Sequence, residues 1–236
     1  MTKCEIKYVP KNINDVVFNN AENERRIKMI FQGFKTRHLF LSGTNGVGKT
    51  MIADLVVHHL TNHCSCLLIA DTIEQVMAQD DIYTYFLNAF HLAKLAGAAI
   101  DDRLVIVFHE LDSYTKPLDK LWTVMDRMKD ELLVIITTNN PMKFANAVRS
   151  RCAKYNFIRI TPEDFVSRAQ YILNQENIHL PDLHVLHYLK TMSITTSDVR
   201  DYLDVLDDLI YSSQNKLPLP AIPVSQPKQP TLSVVK

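Results

Sequence analysis

Gly43-Thr44-Asn45-Gly46-Val47-Gly48-Lys49-Thr50 fits the spacing GxxxxGKT and holds three of the five glycines in a chain of 236 residues. Glycine at these points permits the positive φ angles that turn successive backbone N–H groups inward, which makes such a loop a cradle for phosphate oxygens. The lysine of the pattern, Lys49, reaches the β- and γ-phosphates, and the hydroxyl of Thr50 holds Mg²⁺. Gly43, Thr44, Asn45, Gly46, Val47, Gly48, Lys49 and Thr50 are therefore the candidate nucleotide-binding residues.

An octapeptide recurs by chance, so its flanks decide. His38-Leu39-Phe40-Leu41-Ser42 reads as a buried strand running into the loop, and Met51-Ile52-Ala53-Asp54-Leu55-Val56-Val57 reads as the helix that opens after it. A helix N-terminus favours anions, so strand, loop and helix stand in the order that phosphate binding needs. Leu104-Val105-Ile106-Val107-Phe108 and Leu132-Leu133-Val134-Ile135-Ile136 are continuous apolar runs, as central strands of a sheet covered on both faces should be. Residues 64–70 read as a further strand. Helices alternate with these strands, which predicts an α/β fold with a central parallel sheet whose ligands sit beyond the carboxyl ends of the strands.

Outside the strands, residues 22–33 have helical spacing and stop at glycine, and residues 72–99 are mostly helical with Tyr83, Phe86, Phe90 and Leu95 as candidate core contacts. The polar stretch to about Asn20, with Pro10, reads as an extended arm. From residue 161 to 212 the strands give way to roughly three amphipathic helices. Residues 213–236 carry five of the ten prolines and no helical pattern, so they read as a flexible tail or as a docking peptide anchored by residues 232–235. The expected division is a nucleotide-binding core over 1–160, a helical lid over 161–212 and the tail over 213–236.

Composition narrows the partners. With 26 Lys and Arg against 26 Asp and Glu the net charge is zero, so whole-protein charge gives no support for nucleic-acid or membrane binding. No apolar run is long enough to span a bilayer and the N-terminus lacks a signal-peptide core, so a cytoplasmic protein is expected, or a nuclear one in a eukaryote. Four cysteines are too few for a disulfide scaffold. Cys64 and Cys66 with His63 suggest a metal site, but a buried strand with both cysteines on one face explains them better, since no second ligand pair follows.

Phosphoryl transfer to water needs a metal clamp, a group that orients the water and positive charge on the developing γ-phosphate. His109-Glu110-Leu111-Asp112 follows the strand ending at Phe108, where a nucleoside triphosphatase keeps its Walker B acids. Glu110 suits the polarisation of water. His109 stands where an aspartate is usual, and neutral imidazole is a poor ligand for Mg²⁺; Asp112 compensates only if the turn bends back. Thr137-Thr138-Asn139-Asn140-Pro141 ends the next strand, and Asn139 is the better placed of its two amides to meet a γ-phosphate or the water. Arg149 or Arg151 can act as a finger on a neighbouring subunit, or as a surface ion pair. Ser197 or Asp198 caps a helix that carries Arg200 in its first turn, a poor place for a cation unless a phosphate, or Asp201 or Asp204, partners it.

Together these motifs resemble an AAA+ ATPase, and most closely the small subunits of sliding-clamp loaders of the replication factor C type, including phage versions. The resemblance runs from about residue 7 to 209. Lys7-Tyr8-Val9-Pro10 and Asp15-Val16-Val17 are similar to the family's KYRP and DV, and HELD stands at its DExD box. Thr138-Asn139 resembles sensor 1, Ser150-Arg151-Cys152 matches the SRC motif, and Ser197-Asp198-Val199-Arg200 is similar to sensor 2.

The resemblance implies a P-loop AAA+ core with a helical lid, ATP and Mg²⁺ as cofactors, Thr50 and Asp112 at the metal, and Glu110, Asn139, Arg151 and Arg200 as the catalytic set. Arg151 is then the trans-acting finger and Arg200 the cis sensor. It also implies a homo- or hetero-oligomer formed through the AAA+ domains, because the chain ends before a clamp-loader collar, and a DNA-associated complex as the partner to be loaded or remodelled. His109 departs from the pattern and predicts slow turnover. Two departures weaken direct contact with DNA phosphates: residues 72–99 have only Lys94 as a lysine or arginine, and on the helix over 116–129 Asp119 to Trp122 stand near where the family keeps a glutamine and basic residues. A helicase loader or transposition regulator, and a weakly hydrolysing nucleotide-dependent scaffold, are the alternatives.

Overall fold

The computed structural model describes residues 3–64, 66–97, 103–114, 118–192 and 198–219. Among these, five strands form one sheet: β1 (His38–Gly43), β2 (Leu67–Ile69), β3 (Leu104–Phe108), β4 (Leu132–Thr138) and β5 (Cys152–Phe157). They lie in the order β2-β3-β4-β1-β5, every pairing parallel. β4 is buried along its whole length, as a fully apolar central strand must be. One face of the sheet packs Phe40, Ile106, Val134 and Ile136 with Phe86 and Leu121, and the other packs Leu39, Leu41, Val105 and Ile135 with Ile52 and Val56.

Because the strands are parallel, their carboxyl ends share one edge. Gly43 at the end of β1, Phe108 at the end of β3 and Thr138 at the end of β4 open onto it, and Ser42 pairs with Thr138 in register. The helix α3 (Lys49–His63) leaves this edge directly from the phosphate loop. The helix α7 (Asn146–Arg151) feeds β5 at the opposite edge, where Cys152 pairs with His38.

Three further helices, α8 (Pro162–Gln175), α9 (Asp182–Met192) and α10 (Val199–Gln214), form a separate cluster around Phe165, Ile172, Tyr202 and Leu206. Tyr202 donates from its buried hydroxyl to the Ile160 carbonyl at 2.9 Å, which ties this lid to the segment that joins β5 to α8. Residues 220–236, most of the expected tail and its candidate docking anchor, lie outside the described residues.

Four expectations are corrected. The N-terminal stretch is no extended arm: it forms α1 (Cys4–Lys7) and a 3₁₀ turn at Ile13–Asp15 and packs on the lid, where Cys4 is buried and Tyr8 donates to Glu176 at 2.6 Å. β5 was not among the predicted strands. Of the stretch 72–99, the described residues 72–97 divide into α4 (Ile73–Met77) and α5 (Ile82–Leu95), with Asp81 capping the second, and Leu95 is 85 % exposed rather than core while Phe86 is fully buried. Cys64 caps the end of α3 instead of lying on β2, so the cysteine pair does not share a strand face. No described helix is long and apolar enough to cross a membrane.

Candidate nucleotide site

The phosphate loop leaves β1 with Gly46 at φ +72° and Gly48 at φ +83°, the left-handed region that favours glycine. A Cβ on Gly46 would come within 1.9 Å of the Asp198 carboxylate, so the lid begins directly against the loop. Val199 N–H also donates to the Gly46 carbonyl at 3.4 Å.

α3 then starts at Lys49 with no acidic residue in its first turn. Its free N–H groups and dipole therefore present positive potential that no side chain of that turn offsets. Lys49 is only 7 % exposed, and its Nζ donates to the Gly43 and Thr44 carbonyls at 2.9 and 2.7 Å. Burial pulls the ammonium below its ordinary range, against the nearby acids Glu110, Asp112 and Asp198, which raise it. A buried cation at a helix N-terminus, beside a loop that turns through left-handed glycines, suits a polyphosphate.

Glu110 sits just beyond β3 at φ +46°, an uncommon conformation for glutamate, and its N–H donates to Thr137 Oγ1 at 2.9 Å. Residues with stored backbone strain concentrate at functional sites. Asp112, expected at the metal with Thr50, is engaged elsewhere. Its carboxylate accepts from the Thr138 hydroxyl, from Asn139 N–H at 2.5 Å and from Asn140 N–H at 3.2 Å. Burial tends to raise the Asp112 carboxyl, but these three donors and the Lys143 charge outweigh it and hold the group below the usual carboxylate range. The turn after β3 thus bends toward the end of β4, and Asp112 braces that loop.

Asn140 spends its side-chain oxygen capping the turn at Pro141–Lys143, accepting from Met142 N–H at 3.2 Å, whereas the Asn139 side chain is exposed at the same edge. Glu110 and Asn139 therefore share an edge with the phosphate loop.

The two arginines lie elsewhere. Arg151 is at the amino end of β5, and the length of β1 separates that edge from Gly43 by on the order of 15–20 Å. There it forms a two-pronged ion pair with Asp126, Nε to Oδ1 at 2.7 Å and the terminal nitrogen to Oδ2 at 2.5 Å. Both partners line a cavity of about 490 Å³ with Lys35, Arg37, Arg103 and Lys129. Arg149 is held by Asn146 at 2.5 Å. Arg200, expected as the cis sensor, pairs across solvent with Glu5 of α1 at 3.5 Å. Glu5 was not foreseen as its partner, since the N-terminal stretch was expected to be an extended arm.

A parallel sheet with a phosphate loop on its carboxyl edge and a helical lid against that loop defines a P-loop nucleoside triphosphatase. The chain belongs to the ATPase family associated with various cellular activities (AAA), whose model matches residues 39–160. It is 25 % identical over 207 residues to a replication factor C small subunit of Staphylothermus marinus, covering 85 % of this chain and 59 % of that protein. It is also 25 % identical over 177 residues to replication factor C subunit 4 of Saccharomyces cerevisiae, covering 73 % of this chain and 53 % of the relative. The chain thus spans between half and two thirds of these relatives. Among solved structures, the Thermotoga maritima RuvB Holliday junction branch migration motor superposes with a TM-score of 0.63 at 13 % identity, over 89 % of this chain and 68 % of that one. At that identity the likeness concerns the fold.

Proposed function

We propose that this chain is a clamp-loader-type AAA+ ATPase subunit that binds ATP with Mg²⁺ between its core and lid and works in an assembly that loads or remodels a DNA-replication complex. The observation that carries the assembly is the separation of chemistry across the sheet. Glu110, Asn139 and the phosphate loop share the carboxyl edge, while Arg151 stands at the amino edge. An arginine that distant serves a phosphate in another subunit or none, and the SRC context favours the first. The likeness to replication factor C subunits supports replication as the setting.

In this reading Lys49 and the loop N–H groups bind the β- and γ-phosphates, and Thr50 holds the metal, which offsets charge developing on the phosphate oxygens. Glu110 orients the attacking water, Asn139 contacts the γ-phosphate or that water, and Asp112 holds the Asn139 loop rather than the metal. Arg200 reaches the nucleotide only after leaving Glu5. The mass of the purified protein, alone, with ATP and with ATP and DNA, tests the reading: ATP-dependent oligomers that retain DNA are expected, and a monomer under all three conditions refutes it. His109 favours a second reading, a nucleotide-dependent scaffold with little turnover; assembly with ATP but no phosphate release would select it. A helicase loader or transposition regulator would assemble similarly but act on a different partner.

A further inference from the structure

His109 replaces the carboxylate that the resemblance leads one to expect after β3, yet a carboxylate stands beside it, supplied by another element. His109 Nε2 lies 3.4 Å from Oδ1 of Asp54. Asp54 is on α3, four residues after Thr50 and hence on the same helix face one turn on. Because the first turn of α3 has no acidic residue, Asp54 is the first carboxylate that the helix offers after the expected metal ligand.

The chemistry of the pair differs from that of either residue alone. With Nε2 turned to the Asp54 carboxylate, a neutral imidazole carries its proton on that nitrogen and keeps Nδ1 as a hydrogen-bond acceptor. An aspartate in the same place would accept hydrogen bonds from metal-bound water. The His109–Asp54 pair offers the same two properties, an acceptor and a negative charge, divided between two residues. An ordinary exposed ion pair would be worth little. This one occupies the position where the family's charge is missing.

We propose that Asp54 is a positioning residue that acts through His109, and that the two together replace the absent aspartate beside the cation held by Thr50. The inference rests on the nucleotide reading above. Asp54 is exposed, so its removal leaves the fold intact. The test is binding of a fluorescent ATP analogue across a Mg²⁺ titration and in excess chelator. Asp54→Asn should need about tenfold more Mg²⁺ for its half-maximal effect, the usual cost of losing such an outer partner, while its metal-free affinity stays at the parent value. Adding His109→Asp to Asp54→Asn should restore the parent Mg²⁺ dependence. An Asp54→Asn protein with the parent dependence overturns the proposal, and so does a loss that His109→Asp does not rescue. A parent that binds no analogue at all overturns the nucleotide reading as well, which keeps the two failures distinct.

Discussion

Asp198, the residue that caps α10, lies so close to Gly46 that any side chain on Gly46 would occupy the space of the Asp198 carboxylate. The phosphate loop and the lid therefore meet at one glycine, where the Val199 N–H also donates to the Gly46 carbonyl, and this contact predicts that the lid's position and the loop's shape are coupled. Gly46→Ala adds a Cβ 1.9 Å from the carboxylate at a φ of +72°. The backbone strain costs about 1–2 kcal/mol, and the overlap must be relieved by moving the lid. Affinity for a fluorescent ATP analogue should fall, and Asp198→Ala in the same protein should recover part of it. Unchanged affinity in the single variant would show that the loop and lid are not coupled there.

Asp112 makes a prediction about stability and pH. Removing the acceptor of three donors by Asp112→Ala should destabilise the protein by about 1–3 kcal/mol in urea unfolding at pH 7. The folded carboxyl titrates below its unfolded value, so the contribution of its charge is fully present above about pH 3.9 and is lost as the pH falls through the folded value. The gap between parent and variant should narrow as the medium is acidified below that point. A gap that widens in acid would contradict the hydrogen-bonding pattern.

Glu110 is held by its backbone, through Thr137, and its charge is near enough to act on the Lys49 ammonium. Glu110→Gln preserves shape and removes the proposed base, so analogue binding should match the parent while phosphate release falls by about a hundredfold or more. Turnover at the parent rate would remove Glu110 from the mechanism.

What was legible in the chain follows from the range of each interaction. The phosphate loop, β3 and β4 were readable because a local pattern determines them: glycine spacing in one case, unbroken apolar runs in the others. β5 escaped because α7 passes directly from Arg151 to Cys152 with no turn residue to mark the boundary, although Ala153, Tyr155 and Phe157 alternate as buried residues with exposed Lys154 and Asn156. Asp112 reads as a Walker-type acid by position, and only the fold shows that the end of β4 supplies donors for it. The contacts of Asp198 with Gly46, Glu5 with Arg200 and Asp54 with His109 join segments remote in sequence, and no local pattern announces them. The break between α4 and α5 could have been found from Asp81, whose carboxylate accepts from the N–H groups of Tyr83 and Thr84.

The last prediction concerns Arg151. In this chain its guanidinium is held by Asp126 through Nε and one terminal nitrogen and donates from the other to the Ala147 carbonyl at 2.5 Å; the Asp126 hydrogen bonds raise the arginine above its ordinary range and hold the Asp126 carboxyl below its own. If Arg151 serves a neighbour's γ-phosphate, hydrolysis should rise more steeply than linearly with protein concentration, since only adjacent subunits form complete sites. A finger of this kind is worth about 10³–10⁵ in rate, so Arg151→Ala should bind ATP like the parent and hydrolyse it at a background rate. Lys49→Ala should bind none. Mixing the two inactive proteins should restore part of the activity, because an Arg151→Ala subunit keeps an intact phosphate loop and borrows Arg151 from a Lys49→Ala neighbour. Phosphate release by the mixture, measured alongside its mass, decides the matter: a mixture that assembles yet stays as inactive as each variant alone shows that Arg151 does not act across the interface.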